Sequence, residues 1–258
     1  MIYLYAISDQ PGKRLPAMCG LEEAAVTKVP YRDLAAVASH VTTAEVPALE
    51  ANLWRHEMVV EGVMADRTVL PVRFGTIFGS ERAIQAELRA HYASFVADLN
   101  RMRGHVEMGV RVLRSNEDGS SPPPSMGRPA GNESSEPRLA YASGRAYLLT
   151  RLEEERQLRA AREQAESLAA ELHAPLARLA AQSTCQMLIT PRLLLTAAYL
   201  LDRNGVAAFR REVEVLSTAY EQLGFLCTGP WPPYSFVTAA VPSGRGEAEE
   251  CSQLIRNS

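Results

Sequence analysis

The chain has 258 residues, with 27 Lys and Arg against 30 Asp and Glu, a formal net charge of -3 and 47% hydrophobic residues, the composition of an ordinary globular protein. Such a length can bury its own core without a disulfide scaffold or structural metal, and the weak acidity excludes a globally basic nucleic-acid binder, which needs clustered Lys and Arg to neutralise phosphates. No apolar run reaches the roughly 20 residues that span a bilayer, and Met1-Ile2-Tyr3-Leu4-Tyr5 lacks the basic start of a signal peptide, so a cytoplasmic protein with no membrane or nucleic-acid partner is expected.

The first strand is expected over Ile2–Ile7, and Ala24–Val29 and Leu34–Ser39 read as two more around the turn Pro30-Tyr31-Arg32-Asp33. A helix from Pro47 to about Met64 carries Leu49, Leu53, His56, Val60 and Val63 as one apolar stripe. Thr68–Gly75 is strand-like but holds Pro71, which confines it to a sheet edge or an extended crossing. Ser80 then caps a helix with Ile84, Leu88, His91, Phe95, Leu99 and Met102 on one face, ending before Gly104.

From His105 the order becomes strand, helix, strand, strand, helix, strand. Val106, Met108, Val110 and Val112 alternate as a half-buried strand does. Arg114–Pro137 is rich in Ser, Pro and Gly and too poor in large apolar side chains to offset the entropy of ordering, so a flexible insertion is expected at about 114–140. A long helix follows over Ala142 to about Ala174, with Leu158, Ala161, Ala165, Leu168 and Leu172 inward and the pairs Glu155–Arg159 and Arg162–Glu166 outward. Strands over Thr184–Ile189 and Arg192–Leu201, a helix over Gly205–Leu223 stopped by Gly224, and a last strand from Phe225–Thr228 with Tyr234–Val237 complete the order. The fold class is α+β in two domains: residues 1–104, and residues 105–258 as a ferredoxin-like βαββαβ unit.

Catalytic and metal-binding patterns find little support. Cys19, Cys185, Cys227 and Cys251 form no CxxC pair or zinc-finger spacing, and free thiols are expected. His56-Glu57 lacks the second histidine of a helical zinc site, since position 60 is Val60, and His56 and His91 both lie on apolar stripes. Nucleophile elbows and glycine-rich phosphate loops are missing, Cys185 has no adjacent histidine to activate it, and Glu153-Glu154-Glu155 reads as a solvated helix face. The expectation is a protein without catalytic residues, metal or cofactor.

Two segments stand out. In Thr68–Phe78 a lone Arg73, next to Phe74, sits among apolar residues; its guanidinium calls either for an internal salt bridge to Glu57 or Glu61 or for an exposed contact with an anion or partner. In Thr228–Phe236 the prolines, Pro232 among them, hold Trp231 and Tyr234 in fixed directions, either as interaction anchors or as plugs in the seam between the domains. Arg73, Phe74, Trp231, Pro232 and Tyr234 are therefore the candidate contact or seam residues.

Taken in order, Leu53-Trp54-Arg55-His56-Glu57, Thr68–Phe78, Gly144-Arg145-Ala146-Tyr147-Leu148 and Thr228–Phe236 resemble the gas vesicle protein GvpF/GvpL family over most of the chain. The resemblance implies an accessory protein of gas vesicle formation, a minor vesicle component or assembly factor that contacts the hydrophobic shell protein GvpA and other accessory Gvp proteins. It implies an α+β N-terminal domain followed by a ferredoxin-like one, and no established catalytic residues. The alternative from another class is a small-anion-binding or enzymatic protein with a pocket between the domains, built on His56 and Arg73.

Overall fold

The computed structural model describes residues 1–114, 144–187, 190 and 192–238, with side chains of the helix that begins at Gly144 described from Leu148 onward. Two antiparallel sheets and their helices make a mixed α+β fold. The first sheet contains β1 (Ile2–Asp9), β2 (Thr27–Tyr31), β3 (Leu34–His40), β4 (Val69–Pro71) and β5 (Ile77–Phe78). Its order is β2-β3-β1-β4, with β5 also paired to β1. Pro71 thus ends a short strand at the sheet's margin, where a proline is tolerated. Pro30 and Tyr31, expected in a turn, still pair with β3, and the chain reverses only at Arg32 and Asp33.

Both faces of this sheet are covered, which is why Ile2–Ser8 is buried throughout. α1 (Glu50–Met64) packs Val59, Val60 and Val63 on one face with Tyr3, Tyr5 and Ala6. α2 (Glu81–Ala90) and α3 (Tyr92–Met102) cover the other, where Ile84, Leu88, Phe95, Leu99 and Met102 meet Ile2, Leu4 and Ile7. Strict alternation would send Ala6 to the side of Leu4. A register shift between Leu4 and Ala6 instead places Tyr5 and Ala6 together on the α1 side.

Ser80 caps α2, its Oγ accepting from the Ala83 N–H at 3.2 Å. The single helix expected from there to Gly104 is two helices, broken at His91, whose φ of -110° and ψ of 18° leave the helical basin. His91 is half-buried and pairs with Glu87 at 3.2 Å, so the break lifts a polar residue out of an otherwise buried stripe. Leu49, expected on the α1 stripe, precedes that helix and is exposed.

The second sheet holds β6 (His105–Arg114), β7 (Gln182–Gln186), β8 (Leu193–Asp202) and β9 (Leu223–Trp231) in the order β7-β8-β6-β9. Two helices, α4 (Gly144–Leu179) and α5 (Val206–Ala219), share a core with it. Met108, Val110 and Val112 of β6 meet Ala165, Ala169, Leu172 and Leu176 of α4 and Phe209, Val213 and Leu216 of α5. β8 serves two cores: Leu195, Tyr199 and Leu201 belong to this one, whereas Leu200 joins the core of the first sheet.

Other boundaries also differ from expectation. α4 continues through Pro175 to Leu179, because Leu176 is fully buried and its packing holds the last turn despite the hydrogen bond that a proline cannot donate. Leu158 and Ala161, expected inward, are exposed. Arg162–Glu166 pairs at 2.9 Å, but Glu155–Arg159 does not form, and Arg151 meets Glu154 at 3.3 Å. α5 stops at Ala219, Gly224 lies within β9, and Tyr234–Phe236 is a 3-10 turn rather than a strand. The expected insertion lies, from Ser115 on, outside the described residues, as do Leu188, Ile189 and Cys251. Cys19, Cys185 and Cys227 are unpaired thiols.

Candidate functional site

β9 ends in a strap, residues 232–238, that crosses from the second sheet to the first. Trp231 is the last strand residue and pairs in register with Glu107 of β6. Just before it, Gly229 has a φ of 108°, and a Cβ there would lie 2.7 Å from the Glu107 carbonyl oxygen, so the close approach of the two strands requires glycine. Pro232 and Pro233 are buried beyond it. Ser235 then donates its N–H and its hydroxyl to the Glu107 carboxylate at 2.8 and 2.7 Å.

The far end of the strap is held by α3. Thr238 donates its N–H and hydroxyl to the buried Asp98 at 2.8 and 2.7 Å. Arg101 donates to Asp98 at 2.5 Å, to the Phe236 carbonyl at 2.7 Å and to Gln182 of β7 at 2.8 Å. Phe236 is buried in the core of the first sheet. One guanidinium thus ties a helix of the first sheet, the strap and an edge strand of the second, using the several donors that only arginine offers in one plane.

Between these ends Tyr234 turns toward α1. Its hydroxyl and the Glu57 carboxylate interact without a regular hydrogen bond, since the Tyr234 hydroxyl and Glu57 Oε2 are both buried and lack a well-aligned partner. Burial raises the Glu57 pKa above the usual carboxylate value, the Tyr234 hydroxyl opposes that shift and Glu61 adds to it. Burial likewise pushes the Tyr234 phenol well above its usual range, helped by the charge of Glu57.

His56 lies deeper on the same helix. Its Nδ1 is 3.0 Å from the Tyr3 hydroxyl, and its ring sits 5.6 to 5.8 Å from the rings of Tyr5, Tyr3 and Phe74. The Tyr3 hydroxyl also accepts the Gly75 N–H at 3.0 Å, so it links His56 to the turn after β4. Nε2 has no regular hydrogen bond, although the Val72 backbone favours the charged ring slightly. Burial dominates and lowers the His56 pKa to about 4, so the ring is neutral at pH 7.

The turn after β4 separates its two candidates. Phe74 points inward onto Tyr3 and His56, with ring centroids 5.9 and 5.8 Å away. Arg73 is exposed; its carbonyl accepts from the Thr76 hydroxyl at 2.8 Å, and the expected salt bridge to Glu57 or Glu61 is not formed. Glu57 faces Tyr234 instead. Of the five candidates, Pro232 is buried, Tyr234 is half-buried toward α1 and Phe74 is half-buried within the core of the first sheet and α1, while Arg73 and Trp231 reach solvent, Trp231 being 37% exposed. Trp54 and Met58, 59% and 60% exposed one turn apart on α1, add apolar surface outside the buried stripe of that helix. Their i,i+4 spacing opposite the buried face was the available signal.

A cavity of about 650 Å³ opens between the sheets, lined by Asp9, Asp66, Arg67, Arg103, Pro233 and Arg203 among others. Its charges are largely met within the chain: Arg67 by Asp66 at 2.8 Å, Arg103 by Asp9 at 3.5 Å, and Arg203 by the Met64 carbonyl at 2.6 Å. Neither His56 nor Arg73 lines it, so the structure does not assemble the small-anion pocket built on those two side chains. Among the described residues no three His, Cys, Asp or Glu side chains gather at metal-binding distance, and no helix is long and apolar enough to cross a membrane.

Residues 1–238 match the family described as gas vesicle synthesis protein GvpL/GvpF. Gas vesicle protein F1 of Halobacterium salinarum is 27% identical over 241 residues, covering 92% of each chain. Gas vesicle protein L of a Streptomyces species is 32% identical over 195 residues, 72% of this chain and 68% of that one. The crystal structure of GvpF from Anabaena superposes with a TM-score of 0.72 at 20% identity, covering 95% of this chain and 99% of that one. GvpF from Microcystis aeruginosa gives 0.69 at 18% identity, covering 92% and 99%.

Proposed function

The chain belongs to the GvpL/GvpF family of gas vesicle synthesis proteins, and on that footing we propose that it is a non-enzymatic accessory protein that binds the hydrophobic shell protein GvpA during vesicle nucleation and limits its aggregation. A part in gas vesicle formation follows from the membership itself. The finer reading is that shell subunits expose apolar helices and strand edges before they assemble, and that a helper covers them reversibly in the cytoplasm alongside other accessory Gvp proteins.

The observation that carries the reading is Trp231. A large aromatic side chain stands partly in solvent on a backbone paired in register with Glu107 of β6 and tied further along at Ser235 by Glu107 and at Thr238 by Asp98. A fixed aromatic loses little entropy when a partner covers it, which is the physics of an interaction hot spot. β9, which bears it, is the edge of its sheet among the described residues, a position at which a partner strand could add. The non-enzymatic reading draws support from His56, the side chain that most invited catalysis, which is enclosed by aromatic rings. We also read the two sheets as two domains, 1–104 and 105–258, the second on the ferredoxin-like plan suggested by the order β7-β8-β6-β9 with two helices.

Co-purification of the protein with newly synthesised GvpA, scored together with light scattering from shell aggregates, tests the proposal. Binding with reduced scattering is the expected result. Absence of binding, with the other accessory proteins also supplied, would overturn it.

A further inference from the structure

Among the described side chains of α4, the ones packed against the second sheet lie from Ala165 onward, and every residue from Leu148 to Gln164 is exposed. That is about 25 Å of helix without tertiary support, and helices in water draw most of their stability from a packed face. Leu148, Leu149, Leu152 and Leu158 stand on it, between 44% and 71% exposed.

Charge is sorted along the same length. Leu148–Glu155 carries Arg151 against Glu153, Glu154 and Glu155, a net of -2, while Arg156–Glu163 carries Arg156, Arg159 and Arg162 against Glu163, a net of +2. Intrahelical pairs engage only part of this charge, Arg151 with Glu154 and Arg162 with Glu166; among the described residues Glu155, Arg156 and Arg159 make no ion pair. A segment with an acidic half followed by a basic half is complementary to itself when a second copy runs antiparallel, and repels itself when the copy runs parallel.

We propose that the exposed half of α4 is a self-association surface that pairs antiparallel with the same segment of a second copy. A two-fold axis between residues 155 and 156 sets each acidic half against a basic half. It brings Glu155 level with Arg156 of the other copy, and Leu152 level with Arg159, whose aliphatic stem covers the leucine. The pairing does not rest on the proposed binding of the shell protein.

Sedimentation of the full chain at 50 and 500 mM salt tests it. The expected result is a concentration-dependent dimer whose dissociation constant weakens at least tenfold at the higher salt. Reversal of the acidic half (Glu153→Arg, Glu154→Arg, Glu155→Arg) and reversal of the basic half (Arg156→Glu, Arg159→Glu, Arg162→Glu) each give monomers, and a one-to-one mixture of the two variants forms a heterodimer. That recovery also shows that both variants fold. A wild-type chain that stays monomeric at 100 μM in low salt, or reversal variants that each dimerise as the wild type does, would overturn the proposal.

Discussion

Asp98 and Thr238, 140 positions apart, are joined by two hydrogen bonds of 2.8 and 2.7 Å, both accepted by a carboxylate that is almost completely buried. The same carboxylate holds Arg101 at 2.5 Å. Removing it takes the acceptor from the Thr238 N–H, the Thr238 hydroxyl and Arg101, and hydrogen bonds to a charged group contribute more than neutral ones, about 1.5 to 3 kcal/mol.

Asp98→Ala is therefore expected to lower unfolding stability by about 2 to 4 kcal/mol. Residues 235–238 should lose hydrogen-exchange protection before the rest of the chain does. Asp98→Asn keeps one acceptor oxygen and should cost less. Urea denaturation with peptide-resolved exchange distinguishes these outcomes from an Asp98 that merely decorates the surface.

His56 makes stability depend on pH in a defined direction. Its pKa falls from the usual 6.5 to about 4 on folding, so the unfolded chain binds the proton more readily. The stability it contributes is complete above pH 6.5 and declines as pH falls toward 4, by about 1.4 kcal/mol per unit and about 3 kcal/mol in all. His56→Phe should narrow its stability gap to the wild type by that amount between pH 7 and pH 4. Parallel urea titrations of the two proteins give the difference; a constant gap would contradict the burial.

Glu57 titrates in the opposite sense. Its pKa is raised by burial, so the folded state prefers the protonated acid and stability is lost as pH rises above the unfolded value of about 4.5. Glu57→Gln should gain on the wild type as pH rises above about 4.5. Thermal melts across that range check the sign, and a gain that shrinks with rising pH would refute it.

The five candidates should divide by exposure. Phe74→Ala empties a half-buried ring site between Tyr3 and His56 and is expected to cost about 2 to 3 kcal/mol. Trp231→Ala and Arg73→Ala should change stability by no more than about 1 kcal/mol while weakening GvpA binding tenfold or more. If both leave binding and vesicle yield unchanged, the contact surface lies elsewhere.

The local patterns were legible wherever one interaction shell decides the outcome. Met108, Val110 and Val112 alternate because one face of β6 meets two helices, and Ile84, Leu88, Phe95, Leu99 and Met102 stay on one side even across the break at His91. Arg73 left both an internal and an exposed reading open because its neighbours in sequence are apolar; the turn beyond it sends Phe74 inward and leaves Arg73 in water. Ser235 with Glu107 and Thr238 with Asp98 carry no sequence signal, since small polar residues 128 and 140 positions from their carboxylates look like any loop. The bulge at Tyr5 and Ala6 is similarly silent: both faces of β1 are buried, so hydrophobicity cannot report which way a side chain points.

Phe236 also sets a schedule for synthesis. It fills part of the core built from β1, α2 and α3, and Met102, the last of those elements' residues, leaves the ribosome on the order of ten seconds earlier at ordinary translation rates. Throughout that interval the place that Phe236 takes in this core lies open. A nascent chain halted before the strap would therefore present an apolar gap to whatever it meets, and chaperone occupancy on the ribosome should end only when the last strand and the strap have emerged.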